Sequence, residues 1–232
     1  VRGQPAENVA PYLAATNGMI YGDDPDQGFV NGRTFAHPVM RIAFEAPEGF
    51  TLTNTTSAVL IQGQTGQAQF GGGGALGQTT LEAYAANGLR QVLGNAPNQV
   101  GQAQRTTVNG LQAVVAPARA QTQNGQVVEV TVVAYQVGDR AYHFITITPQ
   151  NGGAALQPMW RSFRQLSASE AGALRARRIE VVTVRSGDTP QALARRMAFD
   201  THQLDRFLVL NGLESNAALR AGQQVKLVTY VR

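Results

Sequence analysis

Residues 178–232 constrain the fold more tightly than any other part of the chain, because three short motifs stand there in an order that one small architecture explains. Val181-Val182-Thr183-Val184-Arg185-Ser186-Gly187-Asp188-Thr189 is a short β-prone run that enters a turn. Gln191 to Met197 reads as a helix, and His202 to Leu210 as a second helix ending at Asn211-Gly212-Leu213. Leu219-Arg220-Ala221-Gly222-Gln223-Gln224-Val225-Lys226-Leu227-Val228 is then a turn into a last strand. The residue types have local reasons. Asp188 and Thr189 offer side-chain oxygens that cap the first helix. Asn211 and Gly212 tolerate the left-handed backbone that ends the second, and Gly222 allows a tight turn. The result is a small βααβ unit.

With V-x-x-G-D-T at its start, L-N-G-L after the second helix and x-G-Q-x-V-x-L at its end, this unit resembles a LysM domain. The resemblance implies binding of N-acetylglucosamine-containing polymers such as peptidoglycan, in a shallow groove between two loops. Carried over motif by motif, one loop is Gly187, Asp188, Thr189 and Pro190, and the other is Leu210, Asn211, Gly212 and Leu213. Asn211 is expected to act in the groove, so that Asn211→Ala weakens retention on peptidoglycan without unfolding the unit. Pro190 stands where Leu or Tyr is usual in the family, and the stretch 199–209 is long and apolar. A structural or protein-docking use therefore stands beside sugar binding.

A chain of 232 residues leaves room for a second core upstream. At 43% hydrophobic and 15% charged residues a core is affordable, and no stretch approaches the roughly 18 uninterrupted apolar residues of a spanning helix. The chain opens at Val1 with a polar run, without initiator Met or signal peptide, and the expectation is a processed or excised piece of a longer polypeptide. Cysteine is absent, which removes disulfides, thiolate zinc sites and cysteine nucleophiles without deciding the compartment. Residues 1–167 carry 9 Arg and 9 acids, whereas 168–232 carry 10 Lys plus Arg and 6 acids, so the net charge of +4 lies in the last part. Its only basic cluster, Arg175, Arg177 and Arg178, lacks interleaved aromatics and reads as a solvated linker; no nucleic-acid partner is expected.

Upstream, residues 1–32 read as a lead-in, with a short helix between Pro5 and Ile20 and a polar loop from Gly22 to Gly28. That loop lacks the spacing of a calcium site. Strands are expected at Val39–Phe44 and Ala58–Gln62. Gly71–Gly74 lacks the G-K-[ST] of a phosphate loop and reads as a flexible loop. Thr79–Leu93 is a helix capped by Thr79 or Thr80 and stopped by Gly94. Thr106–Val115, Val127–Gln136 and Ala141–Thr148 make an antiparallel meander through turns at Asn124-Gly125 and Gly138-Asp139. Ala154–Phe163 closes as a helix that lays Leu156, Met159, Trp160 and Phe163 on the sheet, followed by an Ala, Arg and Ser rich connector, 167–178. The predicted fold class is α+β, an antiparallel sheet with packed helices over 33–168 and the βααβ unit over 178–232. This element order resembles the α/β/α sandwich of the photosystem II PsbP type, which implies binding and assembly and supplies no catalytic residue.

No catalytic constellation is visible. The three histidines, His37 in a loop, His143 in a strand and His202 at a helix start, lack H-E-x-x-H spacing. There is no G-x-S-x-G, and a carboxylate pair such as Glu45 with Glu129, which could meet on the sheet, has no pocket signal beside it. The strings 19–30 (Met-Ile-Tyr-Gly-Asp-Asp-Pro-Asp-Gln-Gly-Phe-Val), Phe35-x-His37-Pro38 and Phe44-x-x-Pro47-x-Gly49-Phe50, with the LysM-like end, are similar to the region after the catalytic domain in bacterial BepA-like H-E-x-x-H zinc metallopeptidases of the cell envelope. That resemblance implies a non-catalytic accessory region. Its partners would be the parent's own N-terminal peptidase domain, peptidoglycan and envelope proteins, in the periplasm or cell envelope. It places zinc upstream of Val1, with no cofactor or metal ligand in this chain. The alternative is a stand-alone periplasmic protein that binds peptidoglycan or another protein.

Overall fold

The computed structural model describes residues 9–22 and 24–231. They form two compact units, one of Pro25–Leu174 and one that joins the chain up to Asp24 with Arg175–Arg232. The helix α1 (Val9–Thr16) belongs to the second.

The larger unit begins with β1 (Phe29–Asn31), β2 (Thr34–His37) and β3 (Ile42–Glu45), then β4 (Thr51–Asn54), β5 (Val59–Gly63) and β6 (Gly66–Ala75). After α2 (Leu81–Leu93) come β7 (Asn98–Val100), β8 (Gln104–Val108), β9 (Leu111–Gln121), β10 (Val127–Val137) and β11 (Arg140–Pro149). A 3-10 turn at Gly153–Leu156 leads into α3 (Gln157–Ser162), β12 (Arg164–Gln165) and α4 (Ala168–Ala173). One antiparallel sheet has the order β1-β2-β3-β12, and the larger has the order β4-β5-β6-β11-β10-β9-β7, with β8 also on β9.

Alternation on the long strands gives the larger sheet two apolar faces. On β10, Val130, Val132 and Ala134 belong to a core cluster with Leu81, Ala85, Leu89 and Leu93 of α2. That helix puts these four on one side by their i, i+4 spacing. Thr80 caps it by accepting the Ala83 N–H at 3.2 Å, and Gly94 ends it at φ 50°. Val133, Tyr135 and Val137 face a second cluster with Phe35, Ile42 and Phe44 of the small sheet and Met159 of α3. The predicted antiparallel α+β class and the meander are thus present, with helix on one sheet face and sheet plus helix on the other.

The smaller unit contains β13 (Arg177–Thr183), α5 (Pro190–Ala194), α6 (Gln203–Asn211) and β14 (Gln224–Tyr230). The strands pair antiparallel from Arg177↔Tyr230 to Thr183↔Gln224. Val184, Leu193, Phe207, Val225 and Leu227 form its core. The second edge of β13 is taken by the chain's own N-terminal segment. Gly18 N–H donates to Ile179 O, Ile179 N–H to Met19 O and Tyr21 N–H to Arg177 O, each at 2.8 Å, while Asn17 Oδ1 accepts the Val181 N–H at 2.9 Å. Leu13 is buried, and the edge of Tyr21 meets the Phe199 ring at 5.9 Å.

Several expectations need correction. Gly71–Gly74 is strand, because β11 supplies a hydrogen-bonded partner that local sequence does not reveal. His37 ends β2 and is buried, so it is not a loop residue. The connector contains α4, closed by a capping box in which Ser167 and Glu170 bond each other's backbone N–H. Arg177 and Arg178 lie in β13, with the Arg177 guanidinium 4.9 Å from the Phe199 ring centre, so they are not linker. The closing segment splits into a 3-10 turn and α3, and the first helix of the C-terminal unit stops at Ala194. Residues expected as one lead-in divide at Asp24, with Phe29–Asn31 in the small sheet. The Pro5 start of the lead-in helix, and Asp23, lie outside the described residues.

Candidate glycan-binding site

The loop that follows β13 is held by its own side chains. Asp188 Oδ2 accepts the Arg185 N–H at 2.7 Å, and Asp188 N–H returns to Arg185 O at 3.1 Å. Thr189 caps α5 by accepting the Ala192 N–H at 3.1 Å, with Pro190 in the first turn, where a missing N–H removes no bond. Gly187 has φ 88°, and nothing lies within 4 Å of a Cβ built on it.

The second loop is fixed just as firmly. Gly212 caps α6 in the left-handed conformation at φ 62°, again with open space around it. Leu213 N–H donates to Leu208 O at 2.9 Å, and Leu210 and Leu213 are half-buried against the unit's core. Asn211 turns inward. Its Nδ2 donates to Phe207 O and to Lys226 O, both at 2.9 Å, and its Oδ1 accepts the Lys226 N–H at 2.7 Å. This amide ties α6 to β14, so Asn211→Ala is expected to cost the module stability, beside any effect on the groove. The end of β13 is tied to the turn before β14, where Val184 N–H donates to Gln223 O and Gly222 N–H to Val184 O.

The polar side chains of Asp188, Thr189 and Asn211 are thus engaged internally, while the glycines at 187 and 212 border open space. Glycine at these two positions leaves the backbone open to close approach. Ser186 and Glu214 are exposed at the loop rims, and Val209, in the apolar stretch 199–209, is exposed on α6. Sequence reasoning missed Tyr12, whose ring lies 5.1 Å from Lys226 Nζ of β14; neither periodicity nor motif spacing links two residues so distant in sequence.

Elsewhere the residues weighed for chemistry stay apart. Glu45 lies in the small sheet and pairs with Arg33 at 2.8 Å, whereas Glu129 lies in the large sheet and accepts the Gly153 N–H at 3.2 Å. These carboxylates, which could have met on one sheet, lie on strands of different sheets. His37 Nδ1 accepts the Met40 N–H at 3.2 Å, so Nε2 carries the proton and donates to Asp26 O at 3.2 Å. Burial pushes its pKa down. His143 Nδ1 is 2.7 Å from the Tyr84 hydroxyl, and burial lowers the histidine and raises the tyrosine. His202 is exposed, 3.5 Å from Asp205. Among the described residues, no group of three or more His, Cys, Asp or Glu side chains could hold a metal ion. No helix among them is long and apolar enough to cross a membrane.

Residues 182–228 match the LysM domain family, which defines this part of the chain as a LysM module joined to an antiparallel α+β unit. None of the curated proteins compared with the chain matches it. Among solved structures, the chain is similar to a protein of Bacteroides thetaiotaomicron, at 13% identity over 72% of this chain and 57% of that one, with a TM-score of 0.44. It thus spans little more than half of that protein. It is also similar to cyanobacterial PsbP of Synechocystis, at 11% identity over 62% of this chain and 98% of that one, TM-score 0.46. A third similar structure is LpqN of Mycobacterium tuberculosis, described as involved in cell envelope biogenesis, at 11% identity over 71% and 100%, TM-score 0.39.

Proposed function

We propose that this chain is a non-catalytic binding region of the cell envelope whose LysM module holds the N-acetylglucosamine polymer of peptidoglycan. The observation that carries this reading is the LysM match at 182–228 together with loops whose glycines, Gly187 and Gly212, border open space. The loop backbone at 186–190 and 210–214 would meet the acetamido and hydroxyl groups of the sugar, which hydrogen-bond both as donors and as acceptors. The Pro25–Leu174 unit would engage an envelope protein.

The finer reading is that this region accompanies a zinc-dependent endopeptidase within one polypeptide. Its support is the similarity of residues 19–30, Phe35–Pro38 and Phe44–Phe50 to the segment that follows the catalytic domain of BepA-like enzymes. Zinc and its ligands would then belong to the preceding domain, and no step of that hydrolysis runs through this chain. An in-frame H-E-x-x-H upstream of the Val1 codon is the expected finding. A start or signal-cleavage site directly before that codon would remove the peptidase and leave the stand-alone glycan-binding protein.

Sedimentation with purified, insoluble peptidoglycan tests the glycan reading. Ser186→Trp and Glu214→Trp place a bulky ring at each exposed rim, outside the caps and the core. Each is expected to lower retention by roughly tenfold or more, the loss of about 1.4 kcal/mol of binding free energy, with thermal unfolding unchanged. Retention of both variants at the level of the unmodified chain would sink the assignment.

A further inference from the structure

The C-terminal unit carries more positive charge than its own acids balance. Residues 175–232 contain 10 Lys plus Arg against 5 acids. Two of those acids are already engaged, Asp188 by the Arg185 N–H and Asp205 by His202 at 3.5 Å. Among the described residues, no Arg or Lys of this unit forms an ion pair. Two of these arginines converge on one aromatic ring.

Phe199 is buried, and the guanidinium carbons of Arg177 on β13 and Arg206 on α6 lie 4.9 Å and 4.5 Å from its ring centre. Tyr21 fixes the same ring by an edge contact. A guanidinium held over a ring keeps its N–H fork for another partner. Asp200 and Asp205, the acids nearest to Phe199 and Arg206 in sequence, are exposed and form no ion pair with either arginine. Two cations gathered at one ring repel each other, a cost that an oxyanion bound beside them offsets.

The position of Arg206 along α6 relates the pair to the sugar loops. Arg206 precedes Gly212, the cap of that helix, by six residues, which is about 9 Å along the axis. An extended peptide of about three residues spans about 10 Å. A short peptide branching from a sugar held at 210–214 therefore reaches Arg206, and peptidoglycan carries such peptides, with free carboxylates, along its glycan strands.

We propose that Arg177 and Arg206, gathered on Phe199, form an oxyanion site that binds a carboxylate of the peptide stems of peptidoglycan, so that the module holds the acidic peptide as well as the neutral sugar. The two forks donate paired N–H···O bonds to the carboxylate, a planar match that arginine makes and lysine does not. The inference rests on the glycan reading for its polymer, while its charge and its residues are separate from the loops at 186–190 and 210–214.

The test is sedimentation of the full chain with insoluble peptidoglycan that is untreated, amidated at its carboxylates with methylamine and carbodiimide, or stripped of phosphate polymers with hydrofluoric acid. Chitin, the neutral N-acetylglucosamine polymer, reports the sugar loops alone. Amidation, and not removal of phosphate, is expected to lower retention at least about tenfold. The variant Arg177→Gln, Arg206→Gln is expected to bind untreated peptidoglycan as weakly as the unmodified chain binds the amidated form, with chitin retention unchanged. Arg195→Gln, Arg196→Gln removes two other exposed charges of the same module and is expected to change neither. If the first variant does not fold, amidation of the polymer decides on the unmodified chain. Equal retention with and without amidation, a loss on phosphate removal instead, or an equal loss from the variant at 195 and 196 would overturn the site and leave the sugar loops standing. Retention that depends on carboxylates, with none on chitin or on amidated peptidoglycan, would overturn the glycan reading and leave the arginine pair. Retention on none of the polymers would overturn both.

Discussion

His37 and His143 are histidines whose protonation the fold resists. Each is kept neutral chiefly by burial, His37 with a partial offset from the Asp26 carbonyl, and each has its pKa lowered from an ordinary value of 6.5. The unfolded chain therefore takes up these protons first as pH falls. The stability they contribute is full above pH 6.5 and declines below it, toward the lowered folded values. Glu170 acts in a different window, since the Ser167 cap and then Arg164 hold its pKa at about 2, below the ordinary 4.5. Its contribution is present above that ordinary value and lost only in stronger acid. The urea midpoint of the Pro25–Leu174 unit is accordingly expected to be lower at about pH 5.5 than at about pH 7.5. In a His37→Gln, His143→Gln variant, that difference should shrink. A midpoint independent of pH over this interval in the unmodified chain would show that the rings titrate alike folded and unfolded.

The clamp between α6 and β14 is a matter of elements, because one side chain closes a gap between a helix end and a strand interior. Asparagine has two amide N–H donors and one carbonyl acceptor, and Asn211 places all three on Phe207 and Lys226. Removing it strands half-buried backbone groups, at about 1–3 kcal/mol. Asn211→Ala is therefore expected to lower the module's stability in urea by that amount, with any loss of peptidoglycan retention following the unfolded fraction. Undiminished stability with lost retention would return Asn211 to the groove surface. The L-N-G-L motif was legible in the sequence as a helix stop, and Gly212 performs that role. The inward turn of Asn211 was not legible, since its partner Lys226 lies beyond a loop. The same limit explains β6: alternation revealed the long strands β10 and β11, whose Val and Ile residues carry a period of two, but four glycines have no pattern to read. The helix α2 needed no tertiary information because Thr80, the apolar stripe and Gly94 mark its start, face and end.

At the scale of the molecule, the LysM match covers 182–228, yet the compact unit around it also takes in the N-terminal segment. A two-stranded sheet of this size is marginal alone, since small units bury too little apolar surface. Residues 17–21 add a third strand's worth of pairing to β13, Leu13 of α1 is buried, and Lys226 stacks over Tyr12. Net hydrogen-bond contributions of about 0.5–1.5 kcal/mol each, plus about 1.5–3 kcal/mol for a buried leucine, amount to a large share of the stability of so small a unit. A fragment of residues 178–232 is expected to melt lower than the same module in the full chain, by more than about 10 °C. Supplying residues 9–22 as a synthetic peptide should raise its melting temperature progressively, with the logarithm of peptide concentration above the Kd, because a ligand of the folded state stabilises it by mass action. Residues 25–174 should fold alone, for both of their cores are built from their own side chains. If the 178–232 fragment melted with the full-chain module and ignored the peptide, β13 would need no third strand, and the N-terminal segment would be a passenger on the sheet edge.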